Sequence, residues 1–138
     1  MRNGRVGKII KTGDVSPWPH EEATAKALAL YEHNVKFIRK SNRDREHSAD
    51  AFVDGEKWEF KAPRSRLLSA VERNLRRGKK QSTRIVFDSR RMKGVPDEAI
   101  MREIASKAHL ISKIQRIVYI NKHGEGSPPK QVAQHSSC

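Results

Sequence analysis

The sequence predicts a layered α/β domain in which a mixed sheet carries helices on its faces. Three observations carry this. Stripes of apolar residues at helical spacing alternate with short runs rich in Ile, Val, Phe and Tyr, in the order helix, strand, hairpin, helix, strand, helix, strand. The dipeptide Asp54-Gly55 sits between two alternating segments and marks a tight hairpin turn, whose central residues need positive φ. A chain of 138 residues, 36% of them hydrophobic, is enough for one domain with a single core.

Residues 1–18 read as a basic arm. Its first sixteen residues are glycine-dotted with few apolar groups, among them Val6, Ile9 and Ile10, and suit a loose arm or one short edge strand. Ser16 to His20 holds two prolines, which stiffen it into an extended approach to a helix. The helix spans about Glu21 to His33, with Glu21 and Glu22 at the positive end of its dipole and Ala23, Ala27, Leu30 and Tyr31 as its apolar stripe. Val35 to Ile38 is a short strand, and residues 39–48 are a charged, solvated loop.

The hairpin occupies Ser48 to Pro63. Residues 66–80 then repeat at helical spacing, with Leu67, Leu68, Val71 and Leu75 on one face and Arg73, Arg76, Arg77, Lys79 and Lys80 on much of the rest. Arg84 to Asp88 is a strand of buried type. Val95-Pro96-Asp97 opens a third helix that runs to about Leu110 or Ile111. Ile117 to Ile120 is the last strand, and residues 122–138 are rich in Gly, Pro, Ser and Gln, the composition of a disordered tail. The core of the domain is therefore expected over residues 19–121.

Charge and cysteine content bound the function. Lys and Arg number 29 against 16 Asp and Glu, a formal net charge of +13, which favours a polyanionic partner such as nucleic acid. The single cysteine, Cys138, excludes an internal disulfide and a cysteine-rich zinc site. It is the last residue, whereas prenylation needs a cysteine fourth from the end, so a free thiol is expected. No apolar run approaches the length of a membrane span, and no signal-peptide stretch is evident at the N-terminus, so the sequence reads as a soluble domain.

The chemistry concentrates in the hairpin. With a loop of Asp54 and Gly55 alone, Val53 faces Glu56 and Asp50 falls opposite Glu59. Opposed side chains share a face with Cβ atoms about 4.5–5.5 Å apart, and Lys61 shares that face with Glu59. Two carboxylates so placed repel unless a cation lies between them, a role that suits Mg²⁺. The same residues also read as the solvated face of an amphipathic hairpin, and a loop one residue longer places Phe52 opposite Trp58. The cations of the second helix read either as a solvated face or as a surface that tracks phosphates.

The ordered set resembles the PD-(D/E)xK nuclease superfamily and, more narrowly, the C-terminal tRNase domains of contact-dependent growth-inhibition toxins. The residues that carry the resemblance are Pro19-His20-Glu21, Ala49-Asp50, Trp58-Glu59-Phe60-Lys61, Asn74-Leu75-Arg76, Lys80-Gln81-Ser82, and Asp88 with Arg90-Arg91. Ala49 stands where the superfamily usually has proline, a change that removes no ligand. The resemblance implies a restriction-endonuclease-like core of α-β-β-β-α-β order with an extra helix and strand. It implies that Asp50 and Glu59 ligate Mg²⁺ or Mn²⁺, that Lys61 orients the attacking water, and that Glu21 (or Glu22) adds an acid from the first helix. Asn74, Arg76, Arg77, Lys80, Gln81 and Ser82 are then the nucleic-acid contacts. The implied activity is metal-dependent hydrolysis of RNA, tRNA in particular, in the bacterial cytoplasm after delivery within a larger secreted toxin, with an immunity protein as partner.

Two alternatives stand beside this: a DNA endonuclease of the same fold, and a non-catalytic basic RNA-binding module. His20 reads as a polar group at the helix start rather than a base, and His33, His47, His109, His123 and His135 show no ligand spacing and read as surface groups. Asp54 and Glu56 read as turn residues, and Trp18 as a packing residue or, if exposed, a platform for a base.

Overall fold

A computed structural model describes residues 6–13, 15–39, 49–126 and 130–131. Of the solvated loop expected over 39–48, Arg39 closes β2, and residues 40–48, like His135 and Cys138, lie outside the described residues. The elements are β1 (Ile9–Lys11), α1 (Pro19–Ala29), β2 (Val35–Arg39), β3 (Ala49–Val53), β4 (Glu56–Lys61), α2 (Ser69–Gly78), β5 (Arg84–Asp88), α3 (Asp97–Ala108), β6 (Arg116–Ile120) and β7 (Lys130–Gln131). This is the mixed α/β class that the sequence predicts, with three helices and parallel as well as antiparallel pairing. By its internal contacts the chain divides within β4 into two compact units, Met1–Trp58 and Glu59–Cys138.

In the first unit, β1 pairs in parallel with β2, β2 antiparallel with β3, and β3 antiparallel with β4. Of the two readings open for the basic arm, residues 9–11 take the edge strand. Helix α1 begins with Pro19, whose fixed φ suits a first turn, and carries Glu21 and Glu22 there. It buries Thr24, Ala25, Ala27, Leu28 and Ala29, so its packing face is built largely from small side chains. The helix stops at Ala29, short of the expected His33, because the chain turns sharply after it: Glu32 takes a φ of 70°, in the left-handed region. Val35, Phe37, Ala51 and Val53 alternate inward on β2 and β3, all nearly inaccessible to solvent.

The hairpin turn is Asp54-Gly55, with φ of 51° and 88°. Both values are positive, as the two-residue turn requires, and the pairs Ala51↔Trp58, Phe52↔Lys57 and Val53↔Glu56 follow. The longer loop is excluded. Asp54 does more than turn the chain. Its carboxylate accepts the Asn34 N–H at 2.9 Å and meets His33 Nδ1 at 2.7 Å, while its own N–H donates to the Asn34 carbonyl at 2.8 Å. His33, expected to be an ordinary surface group, thus clasps the hairpin to the segment after α1.

In the second unit, β4 pairs in parallel with β5, β5 in parallel with β6, and β6 antiparallel with β7. Ile85, Val86 and Phe87 on β5 are essentially inaccessible, the continuous apolar run of a parallel strand covered on both faces. The core joins Val71 and Leu75 of α2, Ile100 of α3, Ile111, Ile114 and Tyr119 around β5. Leu67 and Leu68, expected on the apolar face of the second helix, instead precede α2 and are exposed, because the helix starts only at Ser69. The third helix ends at Ala108, two or three residues earlier than expected. Part of the tail expected to be disordered is ordered: Ile120 bridges to Gly126, and Lys130 and Gln131 pair with Ile117 and Arg116. Backbone pairing with β6 supplies what the polar composition lacks.

Two acids organise the ends of the parallel strands. Asp97, in the first turn of α3, accepts from the Tyr119 hydroxyl at 2.5 Å and from the Lys122 N–H at 3.2 Å. Burial and that bond to Asp97 push the Tyr119 hydroxyl far above the ordinary tyrosine range. Asp88, buried at the end of β5, is gripped by Arg90 through Nε at 3.0 Å and Nη2 at 2.7 Å.

The Asp54 clasp makes the first unit acid-sensitive. Burial pushes the Asp54 carboxyl up, but the Asn34 N–H, the His33 hydrogen bond and the His33 charge outweigh it and leave it below its ordinary value. A folded-state pKa below the unfolded one contributes stability that is present above about pH 4 and lost as pH falls through the folded value. Urea unfolding of Asp54→Asn against the wild type at stepped pH should show the variant less stable near pH 6. The gap should close in acid; a gap independent of pH would show that the Asp54 charge contributes nothing.

Candidate functional site

The candidate residues fall on helix α1, on strands β3 and β4, and on helix α2 with the turn after it. In the first unit, Asp50 is the second residue of β3, and its side chain is 23% exposed. Lys57 lies diagonally from it, because Lys57 pairs with Phe52 and Asp50 precedes Phe52 by one full alternation. The Lys57 Nζ is 3.6 Å from Asp50 Oδ1. In the second unit, Glu59 and Lys61 alternate along β4 and their charged ends lie 3.5 Å apart, at 19% and 20% exposure. Each carboxylate thus has an ammonium nearby, in the half-buried setting where an uncompensated charge is costly.

Glu21 is used within its own helix: its carboxylate accepts the Trp18 N–H at 2.9 Å and so satisfies one of the free donors at the start of α1. Glu22 pairs with Lys11 at 3.0 Å. Trp18 is 47% exposed, so it is not the core packing residue that its type suggests. Among the described residues, no three His, Cys, Asp or Glu side chains converge on a space that holds a metal ion. The oxygen donors Asp50 and Glu59 are hard ligands of the kind Mg²⁺ and Mn²⁺ accept. Mg²⁺ in particular takes one or two carboxylates and completes its shell with water and phosphate. By its chemistry each of the two carboxylates suits such an ion.

Helix α2 carries the basic surface. Arg73, Arg76, Arg77 and Lys80 are exposed, as is Gln81 in the turn that follows. They differ in how far their charge is available. Arg76 binds Glu72, one turn earlier, with its Nη2 at 2.8 Å, and Arg73 Nη1 donates to Ser69 at 3.2 Å. Among the described residues Arg77, Lys79 and Lys80 make no ion pair. Asn74 donates its amide to the Ala70 carbonyl at 2.8 Å, and Ser82 accepts the Arg84 N–H at 3.1 Å, so both have structural work of their own. The cations open to a polyanion on this element are therefore Arg77, Lys79 and Lys80.

Gly78 sets how closely α2 approaches the sheet of its unit. A Cβ built there lies 3.0 Å from Ile85 Cδ1 and 3.6 Å from Glu59 Cγ, so a side chain at this position presses on Ile85 and comes into ordinary contact with Glu59. Its buried position at the end of α2 lets the helix rest on the stem of Glu59.

A family model described as the contact-dependent growth inhibition CdiA C-terminal domain matches residues 47–125, more than half of the chain. The chain belongs to this family. It is thus a toxin domain of contact-dependent growth inhibition, a family whose members form part of a larger secreted toxin delivered into target cells. Among solved structures it resembles a chain of the "CdiA-CT/CdiI toxin and immunity complex from Burkholderia pseudomallei", with a TM-score of 0.67 at 16% identity. That alignment covers 91% of this chain and 99% of the other. At this identity the likeness establishes the shared mixed α/β fold. No curated protein matches the toxin domain in sequence.

Reading the sequence missed Lys57 as a partner of Asp50, although its place two residues before Glu59 on an alternating strand was the available signal. It also gave no role to Arg64 and Arg66, which follow the hairpin. Because a Cβ at position 78 crowds Ile85, Gly78→Val should lower the stability of the toxin domain by about 1–3 kcal/mol in urea unfolding. An unchanged midpoint would show that α2 can lift off the strands freely.

Proposed function

We propose that this toxin domain is a metal-dependent nuclease of the PD-(D/E)xK kind that hydrolyses phosphodiester bonds in RNA, with tRNA as its substrate. The observation that carries the reading is the charge arrangement of the hairpin. Asp50 shares a strand face with Phe52, the partner of Lys57, and Glu59 and Lys61 follow Lys57 at alternate positions of β4. Two carboxylates and two lysines on alternate positions of a hairpin in a growth-inhibiting toxin are poorly explained as decoration, since each charge is half-buried.

Asp50 and Glu59 are the residues to hold Mg²⁺ or Mn²⁺, which when bound supplies a water of lowered pKa and neutralises charge on the phosphate. Lys61 donates hydrogen bonds to the attacking water and to the phosphate oxygens as negative charge builds on them. Arg77 and Lys80 hold the flanking phosphates, with Arg76, Gln81, Ser82 and Asn74 supporting that contact, so that the scissile bond is presented to the hairpin. Glu21 acts as a further acid from α1 once released from the Trp18 N–H. The tRNA preference rests on the resemblance to growth-inhibition tRNases.

An immunity protein is the expected partner. The similar solved structure is a toxin and immunity complex, and a chain of formal net charge +13 suits an acidic inhibitor. In this reading the domain acts in the cytoplasm of the target cell.

The decisive experiment incubates the domain with total RNA and with plasmid DNA, with Mg²⁺ or with EDTA. Discrete tRNA cleavage is expected, abolished by EDTA and reduced at least a thousandfold in Glu59→Ala and Asp50→Ala, while both variants still bind RNA. Cleavage of DNA alone would keep the site and remove the RNA assignment. Tight, salt-sensitive binding with no cleavage of either polymer would leave a binding module in place of the enzyme.

A further inference from the structure

Within the second unit, the edge where β4 and β5 end collects cations that no other role absorbs. The two strands are parallel, with Lys61 opposite Phe87 in the last recorded pair, so the segments after them leave the sheet on the same side. Arg64 and Arg66 lie on the first segment, Arg91 and Lys93 on the second. The segments touch: Arg66 Nη1 is 3.5 Å from the position a Cβ would take on Gly94, where φ is +83° and glycine is favoured. Arg64, Arg66 and Lys93 are exposed. The Nε of Arg91 is buried and has no hydrogen-bond partner among the described residues.

Asp88, the carboxylate whose charge reaches Arg91, does not satisfy them. Asp88 is already held by Arg90 through two nitrogens of its side chain and by the Arg90 N–H at 3.1 Å. Burial first, and the neighbouring Arg64 charge second, pull the Arg91 guanidinium below its ordinary value, more than Asp88 restores. Two guanidiniums that repel each other beside an occupied carboxylate are costly unless an anion joins them. The carboxyl ends of parallel strands are also where open α/β sheets bind their ligands.

We propose that Arg64, Arg66, Arg91 and Lys93 form a second phosphate-binding patch, which grips the backbone of the nucleic acid at contacts separate from those of α2. The guanidinium fork matches a phosphate with two parallel hydrogen bonds, and a polyanion with regularly spaced charges engages several members of the cluster at once. The patch rests on the nucleic-acid reading above but not on catalysis.

The test is the salt dependence of binding to a fluorescein-labelled single-stranded RNA of random sequence, measured by anisotropy in EDTA so that no cleavage intervenes. Each lost phosphate contact lowers the slope of log K against log salt by about 0.7. Arg64→Gln/Arg91→Gln should therefore lower it by about 1.4, additively with Arg77→Gln/Lys80→Gln. Thermal unfolding checks the fold. Should Arg91 prove necessary for folding, Arg66→Gln/Lys93→Gln, both at exposed positions, gives the same reading. An unchanged slope in a folded variant overturns the patch, and so does a wild type that binds no RNA; an acidic protein is then the better partner for the cluster. Binding with the expected slopes but no cleavage under Mg²⁺ would overturn the nuclease and leave the patch standing.

Discussion

Both central residues of the turn between β3 and β4 adopt positive φ, and this small backbone fact dictates which side chains of the hairpin meet. A loop of two residues fixes one register, and a slip of one position would move every side chain of a strand to the other face. Val53, Ala51 and Trp58 share one face of the strands, and the charged residues Asp50, Lys57, Glu59 and Lys61 take the opposite face as a consequence. The turn is itself held by His33 and Asn34 on Asp54, so the register has support beyond the preference of Asp-Gly for such turns.

The net charge of the toxin domain is not spread evenly in effect. Several cations are used internally: Arg90 on Asp88, Arg76 on Glu72, Lys11 on Glu22. The acids at strand and helix ends are likewise engaged, with Asp97 gathering Tyr119 and Lys122. Among the described cations outside such pairs are Arg77, Lys79 and Lys80 at the end of α2 and Arg64, Arg66 and Lys93 at the carboxyl edge of β4 and β5. Solvent-exposed pairs contribute little to stability, so the surplus is better understood as a binding device than as a stabilising one.

Much of the fold was legible from pattern. The Asp54-Gly55 turn, the buried run Arg84–Asp88 and the alternation around Trp58 each combine a local preference with the right periodicity, and each is observed. The errors have a common cause. Leu67 and Leu68 fit the helical period but lie outside the helix, and Lys130 and Gln131 look disordered but pair with β6, because in both cases tertiary contacts decide. The candidate site was legible as charge on an alternating strand. Lys57, the His33 clasp and the Arg64–Arg91 neighbourhood were not, since each depends on residues distant in sequence or on the diagonal geometry of a sheet.

The pairing of Asp50 with Lys57 and of Glu59 with Lys61 has one more consequence. A hairpin that carried only the two acids would have to draw a dissolved cation from its surroundings before it could close. With an ammonium beside each carboxylate, the strands bring their own counter-ions, which lessens the need for a dissolved one as the chain folds.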